Sequence, residues 1–456
     1  MANEAAYDGT GRARARRRAG GARPAGGVRA EPGCAASGSG PGRRAVAASV
    51  ALGAGLALAG AGAARAQPAS GATRVGGAGG RAREGGAARD GFRLRLPAPT
   101  GPYRIGVSVL HLVDGRRADP WLGAGFAREV MATLWYPAVD VRGRARAPHM
   151  TPRAAASFAT WAPRLHPGLP PTGVDWAATT THAHQNASAR PGRRPVLLYS
   201  PGGGDPRTLG TCLAEELASH GSVVVTIDHP GDASEVELPD GTLRETVLRG
   251  DPRTDPELFA TVIATRIADV RLVLDQLAEL ASGRPRSGRH GVLPPGLADA
   301  LDLRRVGVYG HSAGGTTAAQ ALYDDRRIDA AVNLEGYLSH PGPAPGRPGP
   351  LFPVARDGSD RPLLSVGTRG FWDAEFARSW SAVLARSGGR ATWRRIEGAT
   401  HGTLTDYAAL VPRLWAAGLV TTEAREALVG PIDPARSVPL VRHLVRTFFA
   451  RHLPTR

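Results

Sequence analysis

Short apolar runs alternate with amphipathic segments along most of the chain after residue 92. The apolar runs, such as Pro195–Ser200, Ser222–Asp228 and Val306–Tyr309, predict buried strands because they are rich in β-branched residues and carry almost no charge. The segments between them repeat apolar residues at 3.6-residue spacing and predict helices, the longest over Pro256–Ala281. Further strands are predicted over 103–113, 129–136, 329–335, 362–368 and 391–396, and further helices over 208–220, 313–324, 374–386 and 438–452.

Strands that alternate with helices and are apolar along their whole length predict a mainly parallel sheet covered by helices on both faces, which is an α/β fold. One stretch departs from this alternation. Residues 139–194 are rich in Pro and Arg, with one candidate short helix around Arg153–Trp161. We interpret this stretch as an irregular insertion that either lines a substrate pocket or forms a surface excursion. The folded domain is predicted over residues 92–456.

The first 91 residues have a different character. Residues 1–44 are basic, residues 45–64 are uncharged and mildly apolar, and Ala64-Arg65-Ala66 resembles a signal-peptidase site. This order predicts an export signal over residues 1–66, and the Arg43-Arg44 pair favours the twin-arginine type. The alternative is a membrane anchor formed by residues 45–64. Residues 67–91 lack periodicity and predict a disordered linker.

Composition adds two exclusions. The 456-residue chain has a formal net charge of +17, and all 57 of its basic residues are arginine. These arginines are scattered and form no basic helix with interleaved aromatic residues, so nucleic-acid binding is not expected. Cys34 lies in the predicted leader, so the mature chain would keep Cys212 alone and form no internal disulfide. Cys212 is predicted to pack in a helix as a small apolar residue.

The clearest chemical signal is Gly310-His311-Ser312-Ala313-Gly314, which matches G-x-S-x-G. It lies between a predicted strand and a predicted helix, and this is the context that a nucleophile elbow requires. The two outer glycines remove side chains that would clash in so tight a turn. We predict that Ser312 is an exposed nucleophile. The alternative is a glycine-rich turn with an idle serine.

A serine nucleophile needs a neighbouring base to take its proton. In an α/β sheet, active groups follow the carboxyl ends of strands, and His401 follows the predicted strand 391–396. We therefore predict His401 as the base and assign His311, which the elbow holds, to packing. His182 and His184 form an H-x-H pattern, but no third ligand can be placed, so no metal site is predicted.

Two carboxylates are candidates for the acid that orients His401. Glu335 ends the predicted strand 329–335, and Asp373 follows the next strand, 362–368, by five residues. Position alone does not separate these two, whereas Asp329 is at the wrong end of its strand. For the oxyanion hole, which needs backbone N–H groups, Ala313 supplies one donor and the loop Gly202-Gly203-Gly204 the other.

Three stretches resemble the platelet-activating factor acetylhydrolases and their secreted bacterial esterase relatives. They are Leu197-Leu-Tyr-Ser-Pro-Gly-Gly-Gly204 with Arg207-Thr208, Thr226-Ile-Asp-His-Pro-Gly-Asp-Ala-Ser234, and Gly310-His-Ser-Ala-Gly-Gly315. The resemblance runs from about Tyr103 to the C terminus, except for residues 139–194. It implies an α/β-hydrolase fold, a triad of serine, acid and histidine, and no cofactor.

The resemblance also bears on the acid. In that family the acid follows the strand after the elbow helix in an apolar-x-Leu-Asp-small-aromatic pattern, and Val332-Asn-Leu-Glu-Gly-Tyr337 occupies this pattern here. It therefore favours Glu335 over Asp373, although Glu stands where Asp is usual and is one methylene longer. The resemblance also puts Gly203 at the loop donor of the oxyanion hole.

The activity expected from this resemblance is hydrolysis of carboxylic esters, on small-molecule or lipid substrates, through an acyl-enzyme. Membrane contact is expected only through the export signal or a lipid substrate. Two alternatives remain. One is a lipase, polyester hydrolase or peptidase that uses the same triad, and the other is a non-catalytic binding protein on a hydrolase fold.

Overall fold

A ten-stranded sheet lies at the centre of the computed structural model, which describes residues 91–283, 293–344 and 346–454. The export signal predicted over residues 1–66 and almost all of the linker predicted over 67–91 lie outside the described residues. The strands of the described chain are β1 (Ile105–Asp119), β2 (Gly123–Pro137), β3 (Arg146–Pro148), β4 (Thr180–Gln185), β5 (Arg194–Ser200), β6 (Val223–Ile227), β7 (Glu235–Glu237), β8 (Leu243–Glu245), β9 (Leu301–His311), β10 (Ala330–Leu334), β11 (Leu363–Thr368) and β12 (Ala391–Ile396).

The large sheet has the order β12-β11-β10-β9-β5-β6-β2-β1-β4-β3, and β7 and β8 form a separate hairpin. Six of its nine strand pairings are parallel, and three are antiparallel. The prediction of a mainly parallel sheet is therefore confirmed. The parallel half, from β12 to β6, brings the carboxyl ends of its strands to one edge, where active groups collect in α/β folds.

Helices cover both faces of the sheet, as predicted. Those of the described chain are α1 (Pro152–Leu165), α2 (Thr211–Ser219), α3 (Pro256–Ala281), α4 (Leu297–Ala300), α5 (Ala313–Asp324), α6 (Pro353–Asp357), α7 (Ala374–Arg386), α8 (Tyr407–Ala416), α9 (Thr422–Val429) and α10 (Pro434–His452). None of the helices in the described ranges is long and apolar enough to cross a membrane.

The central strand β5 shows why its sequence is apolar at successive positions. Val196 and Leu198 pack into the core beneath α3 and α5, whereas Leu197 and Tyr199 pack into the core beneath α2 and α10. All four side chains are buried. Burying each large apolar side chain stabilises the fold by about 1.5–3 kcal/mol, so a strand buried on both faces anchors the whole sheet.

The segment 139–194 is more ordered than its sequence predicts. It contains β3, β4 and α1, and α1 extends beyond the predicted helix at both ends. Thr151 caps α1 by accepting a hydrogen bond from the amide of Ala154, and a proline occupies the first turn. Ser157 of α1 donates a hydrogen bond of 2.6 Å to Glu245 of β8. The segment therefore packs on the β7–β8 hairpin.

Several local predictions need correction. The helix predicted over 208–220 is a 3₁₀ turn at Arg207–Gly210 followed by α2, and Gly210, the N-cap of α2, lies against the ring of Tyr199, where a Cβ would come within 2.2 Å of a ring carbon. Helices α8 and α9 and the β7–β8 hairpin were not predicted. The first turns of α8 are apolar at consecutive positions and contain Pro412, so they show no helical period. Cys212 is buried in α2, as predicted.

Candidate active site

The turn between β9 and α5 holds Ser312 at a φ of 54°, in a region that residues other than glycine rarely adopt. A Cβ on Gly310 would lie 2.2 Å from the carbonyl oxygen of Gly314, and one on Gly314 would lie 1.9 Å from that of Ser200. Both positions therefore require glycine. The amide of Ser312 donates a hydrogen bond of 2.9 Å to Leu334 at the end of β10, which ties the elbow to the next strand.

The glycine loop after β5 lies beside the start of α5. A Cβ on Gly203 would be 3.8 Å from the Cβ of Ala313, and Gly203 itself is exposed. Ala313 is the first residue of α5, so its N–H has no acceptor within the helix. The two residues predicted to supply the oxyanion hole, Gly203 of the glycine loop and Ala313 of the elbow, are therefore neighbours.

Glu335 and His401 are brought into direct contact. The Nδ1 atom of His401 is 2.8 Å from Oε2 of Glu335. The other carboxylate oxygen of Glu335 accepts a hydrogen bond of 2.7 Å from the hydroxyl of Thr368 and a second one from the Thr368 amide. Glu335 is only 2% exposed and has a φ of 60°, so its backbone is strained and its side chain is fixed by three hydrogen bonds.

Asp373, the other candidate acid, has a different set of partners. Its side chain caps α7 by accepting a hydrogen bond of 2.8 Å from the amide of Phe376. Its second oxygen accepts a hydrogen bond of 2.6 Å from the hydroxyl of Tyr337. Of the two carboxylates that position alone could not separate, Glu335 is therefore the one that hydrogen-bonds to His401.

The imidazole of His401 lies between two other rings. Phe371 stacks on it with 3.9 Å between the ring centroids, and His311 is 4.3 Å away on the same measure. The side chain of His401 keeps 24% of its surface exposed. Burial of the remainder lowers the pKa of His401, and so does the neighbouring His311, while the Glu335 carboxylate partly opposes them. His401 is therefore neutral, and able to accept a proton, at neutral pH.

His311 connects the elbow to the histidine loop and to the glycine loop. Its Nε2 atom is 3.2 Å from the carbonyl oxygen of His401, and its Nδ1 atom is 3.8 Å from the Asp205 carboxylate. Asp205 is also 2.7 Å from Nε2 of His166 at the end of α1. Burial opposes ionisation of Asp205, but His166 and His311 outweigh it and hold the pKa of this carboxyl well below its usual range. His311, which the sequence assigned to packing, thus contacts the loop of His401 and the residue after the glycine loop.

Sequence reasoning missed Thr368, Phe371, Asp205 and His166 as neighbours of the site. Thr368 ends β11 and Asp205 directly follows the glycine loop, so both occupy strand-end positions where polar neighbours of a site are expected. Nothing in the sequence around His166 or Phe371 links them to Asp205 or His401, which lie 30 or more positions away. His182, considered and rejected as a metal ligand, lies 2.9 Å from a carboxylate oxygen of Glu215. The described ranges contain no cluster of three or more side chains able to hold a metal ion.

A cavity of about 470 Å³ lies beside this site rather than on it. Part of its lining, Pro206–Thr208, follows shortly after the glycine loop, and Ser312, His401 and Glu335 are not among the residues that line it. Its walls combine apolar side chains, such as Trp135, with polar groups. One of these is Glu235, whose pKa is raised to about 8 by burial.

Comparisons with known proteins agree with this geometry. Residues 94–243 and 258–454 match the family described as platelet-activating factor acetylhydrolase, isoform II. A probable 1-alkyl-2-acetylglycerophosphocholine esterase of Arthroderma benhamiae is 25% identical over 78% of this chain and 87% of its own length. The platelet-activating factor acetylhydrolase of Canis lupus familiaris is 24% identical over 62% of each chain.

A solved structure, the ferulic acid esterase of Streptomyces cinnamoneus, is 32% identical, with a TM-score of 0.62 over 80% of this chain and 94% of its own. This similarity confirms the α/β-hydrolase fold and the expectation of a hydrolase that cleaves carboxylic esters. The family match covers well over half of the chain. The chain therefore belongs to the platelet-activating factor acetylhydrolase isoform II family and is a serine-type ester hydrolase.

Proposed function

We propose that Ser312, His401 and Glu335 form the catalytic triad of this esterase. The observation that carries the proposal is the 2.8 Å hydrogen bond between Glu335 and His401, at the sheet edge that also carries the Ser312 elbow. Because the Glu335 carboxylate can only accept, Nδ1 of His401 must donate its hydrogen to it. The lone pair of Nε2 is then free to take the proton of Ser312.

The reaction proceeds in two halves. Ser312 Oγ attacks the acyl carbon while its proton passes to Nε2 of His401, and the resulting imidazolium is stabilised by Glu335. The bond to the leaving alkoxide breaks as His401 returns the proton to it, which leaves an acyl group on Ser312. Water then attacks this ester with His401 as base, and the carboxylic acid is released.

In both halves a negative charge develops on the former carbonyl oxygen. The N–H groups of Gly203 and Ala313 are proposed to bind this oxyanion, and the proximity of these two residues supports this assignment. Two preorganised backbone donors in a partly dry site stabilise the transition state more than the ground state, because the charge is present only in the transition state.

For the substrate, we propose a small or amphiphilic carboxylic ester with a short acyl group. The similar proteins are named for an acetyl ester of an ether glycerophosphocholine and for ferulic acid esters, so they differ in acyl group but share the ester bond. The 32% identity to the ferulic acid esterase favours an aromatic acyl group as the second candidate. A long-chain lipase, a polyester hydrolase and a peptidase are the remaining outcomes of a substrate test.

The test compares the full chain with its Ser312→Ala variant. For both proteins it measures hydrolysis of p-nitrophenyl esters from acetate to palmitate, of a feruloyl ester and of a series of peptides. We expect the highest kcat/KM on short acyl esters, and loss of activity in Ser312→Ala by a factor of about 10⁴ or more. A preference for palmitate or for peptides would reject the short-acyl assignment. A folded wild-type chain that hydrolyses no ester would favour the non-catalytic alternative.

We also propose that the chain is exported, with residues 1–66 as its signal and residues 67–91 as a linker. The support is the order of a basic region, an apolar region and Ala64-Arg65-Ala66. Expression in a bacterial host with a twin-arginine pathway, followed by N-terminal sequencing of the exported protein, tests this. A mature start at Gln67 is expected, and retention of residues 45–64 in the membrane fraction would favour the anchor instead.

A further inference from the structure

A second Ser–His–Asp array lies beneath the glycine loop, separate from the triad proposed above. The hydroxyl of Ser200 is 2.9 Å from Nε2 of His229, and Nδ1 of His229 is 2.9 Å from Oδ2 of Asp269. All three side chains are completely buried. No substrate can therefore reach Ser200, and this array needs a role other than nucleophilic catalysis.

The direction of its hydrogen bonds follows from its charges. Burial lowers the pKa of His229 to about 4, with the adjacent Arg266 acting in the same direction, so His229 is neutral at neutral pH. Asp269 can only accept, so Nδ1 of His229 donates to it and Nε2 accepts from the Ser200 hydroxyl. The Ser200 oxygen is then free to accept from Arg266, whose Nη1 is 3.3 Å away. The chain of hydrogen bonds from Asp269 through His229 and Ser200 therefore ends at Arg266.

Arg266 is the group that links this buried array to the glycine loop. It is 1% exposed, and its guanidinium donates to the carbonyl oxygen of Pro201 at 2.5 Å and to that of Gly202 at 2.9 Å. Its Nε atom donates to Asp232 at 2.5 Å, and the other oxygen of Asp232 accepts from the amide of Gly204 at 2.9 Å. Arg266 and Asp232 together therefore hold three consecutive peptide units of the loop.

Charge balance explains why so polar a cluster is stable in the interior. Asp269 is paired with Arg128 at 2.7 Å and with Arg117 at 2.5 Å, and Arg128 also reaches Asp119 at 3.0 Å. With Arg266 and Asp232, the cluster has three arginines facing three buried aspartates, and the partly exposed Asp114 also pairs with Arg117 at its edge. Buried ions are tolerated when they are paired and hydrogen-bonded, and removing one partner leaves an uncompensated charge.

The consequence for the active site follows from the geometry of one peptide bond. In a trans peptide the C=O and the next N–H point in opposite directions. Because the carbonyl of Gly202 points inward to Arg266, the N–H of Gly203 must point outward, toward the exposed side where Gly203 borders Ala313. We propose that Arg266 is a positioning residue that orients the Gly203 N–H for the oxyanion, with the Ser200–His229–Asp269 array fixing Arg266 from below.

This inference rests on the proposed function, since it assumes that Gly203 is an oxyanion donor. A lysine at position 266 would keep the charge but could not bind two carbonyl groups and Asp232 with one planar fork. The matched control is Arg442, another buried arginine that donates to the carbonyl oxygens of Pro97, Ala98 and Cys212. Arg442 lies in α10, and its carbonyl partners are outside the glycine loop, so Arg442→Lys removes comparable bonds elsewhere.

The experiment measures the full-length wild type, Ser312→Ala, Arg266→Lys, Arg266→Met, Asp232→Asn and Arg442→Lys. For each, it records the Tm, kcat and KM on p-nitrophenyl acetate, and the Ki of a trifluoromethyl ketone whose adduct with serine carries an oxyanion. For the Arg266 variants we expect kcat to fall about 10- to 100-fold, with KM changed less than about threefold. The Ki of the trifluoromethyl ketone should rise by the same factor by which kcat falls.

Arg442→Lys should lower Tm comparably and leave kcat and Ki near wild type. The inference is overturned if folded Arg266 variants keep wild-type kcat and Ki, or if Arg442→Lys loses as much kcat. If neither Arg266 variant folds, the test passes to Asp232→Asn, which weakens the bond that holds Arg266. This variant must then show the same fall in kcat and rise in Ki, or the inference fails. A wild type without Ser312-dependent hydrolysis would reject the proposed function itself.

Discussion

The carboxylate of Glu335 and the imidazole of His401 meet across 2.8 Å, although they follow different strands and are 66 positions apart in sequence. Two parallel strands, β10 and β12, end at the same edge of the sheet with β11 between them. Thr368, at the end of β11, donates twice to the oxygen of Glu335 that His401 does not use. The three adjacent strand ends thus bring together Glu335 and His401, the proposed acid and base.

The first prediction concerns the acid. Glu335→Gln should lower kcat about 1,000- to 10,000-fold with little change in KM, because a neutral amide can stabilise the wrong tautomer of His401 and cannot balance the imidazolium. Glu335→Asp keeps the charge but shortens the reach by one methylene, so an intermediate loss is expected. Steady-state kinetics on p-nitrophenyl acetate measure both.

Asp373→Asn is the control for this pair, since Asp373 caps α7 and bonds to Tyr337. It should leave kcat near wild type and change stability little, because asparagine caps a helix about as well as aspartate does. A large loss of kcat in Asp373→Asn, together with an active Glu335→Gln, would reassign the acid.

The second prediction is a pH profile. The pKa of His401 lies below its ordinary value of 6.5, because of burial first and His311 second. His401 acts as a base only when neutral, so kcat/KM should rise with pH to a plateau, with a midpoint below 6.5. Glu335 raises this pKa, so the residual activity of Glu335→Gln should have a still lower midpoint. A midpoint above 7 in the wild type would contradict this picture of the site.

The third prediction tests the elbow. Gly314→Ala should abolish activity and reduce the yield of folded protein, because the added Cβ would lie 1.9 Å from a backbone oxygen that cannot move without displacing β5. Gly115→Ala in β1 is the matched control, since nothing lies within 4 Å of a Cβ at that position. It should change stability by less than about 0.5 kcal/mol. Thermal unfolding and ester hydrolysis are measured for both variants. Equal Tm and equal activity in the two variants would contradict the tight packing of the elbow.

The fourth prediction concerns Glu235, whose pKa is raised from 4.5 to about 8 by burial in the cavity wall. Below pH 4.5 the folded and unfolded states both hold its proton, and between pH 4.5 and about 8 only the folded state does. Raising the pH through this window therefore lowers stability, by about 1.4 kcal/mol for each pKa unit of the difference.

Glu235→Gln replaces the protonated carboxyl with a neutral group of the same shape and should remove this pH dependence. Thermal unfolding of both proteins at pH 5, 7 and 9 measures the effect. The variant should gain Tm relative to wild type as the pH rises. A constant difference in Tm at all three pH values would show that Glu235 has the same pKa in the folded and unfolded states, which would contradict the raised pKa.

The site residues that could be proposed from the sequence are those marked by a local pattern. Ser312 lies in a five-residue motif between a strand and a helix, and His401 follows a strand, so both could be found without knowledge of distant contacts. The choice between Glu335 and Asp373 could not be made from position, because it depends on which strand-end carboxylate reaches His401 across the sheet. Only the family resemblance favoured Glu335 beforehand.

The parts that the sequence did not predict depend on long-range packing. Arg266 is one arginine among 57, and its helical position gives no sign that it binds two carbonyl groups more than 60 residues away. In the segment 139–194, α1 is stabilised by contacts with the β7–β8 hairpin, which follows much later in the chain. Such elements are specified by the surfaces they meet, and neither their own periodicity nor their composition marks them clearly.

The most direct test of the central assignment is to identify the residue that carries the acyl group. The full chain would be mixed with excess p-nitrophenyl acetate, quenched in acid within milliseconds, digested and analysed by peptide mass spectrometry. Catalysis by Ser312 requires an added acetyl group on Ser312 in the wild type and no adduct in Ser312→Ala. An acetyl group on another residue, with Ser312 unmodified in an enzyme that turns over, would contradict it.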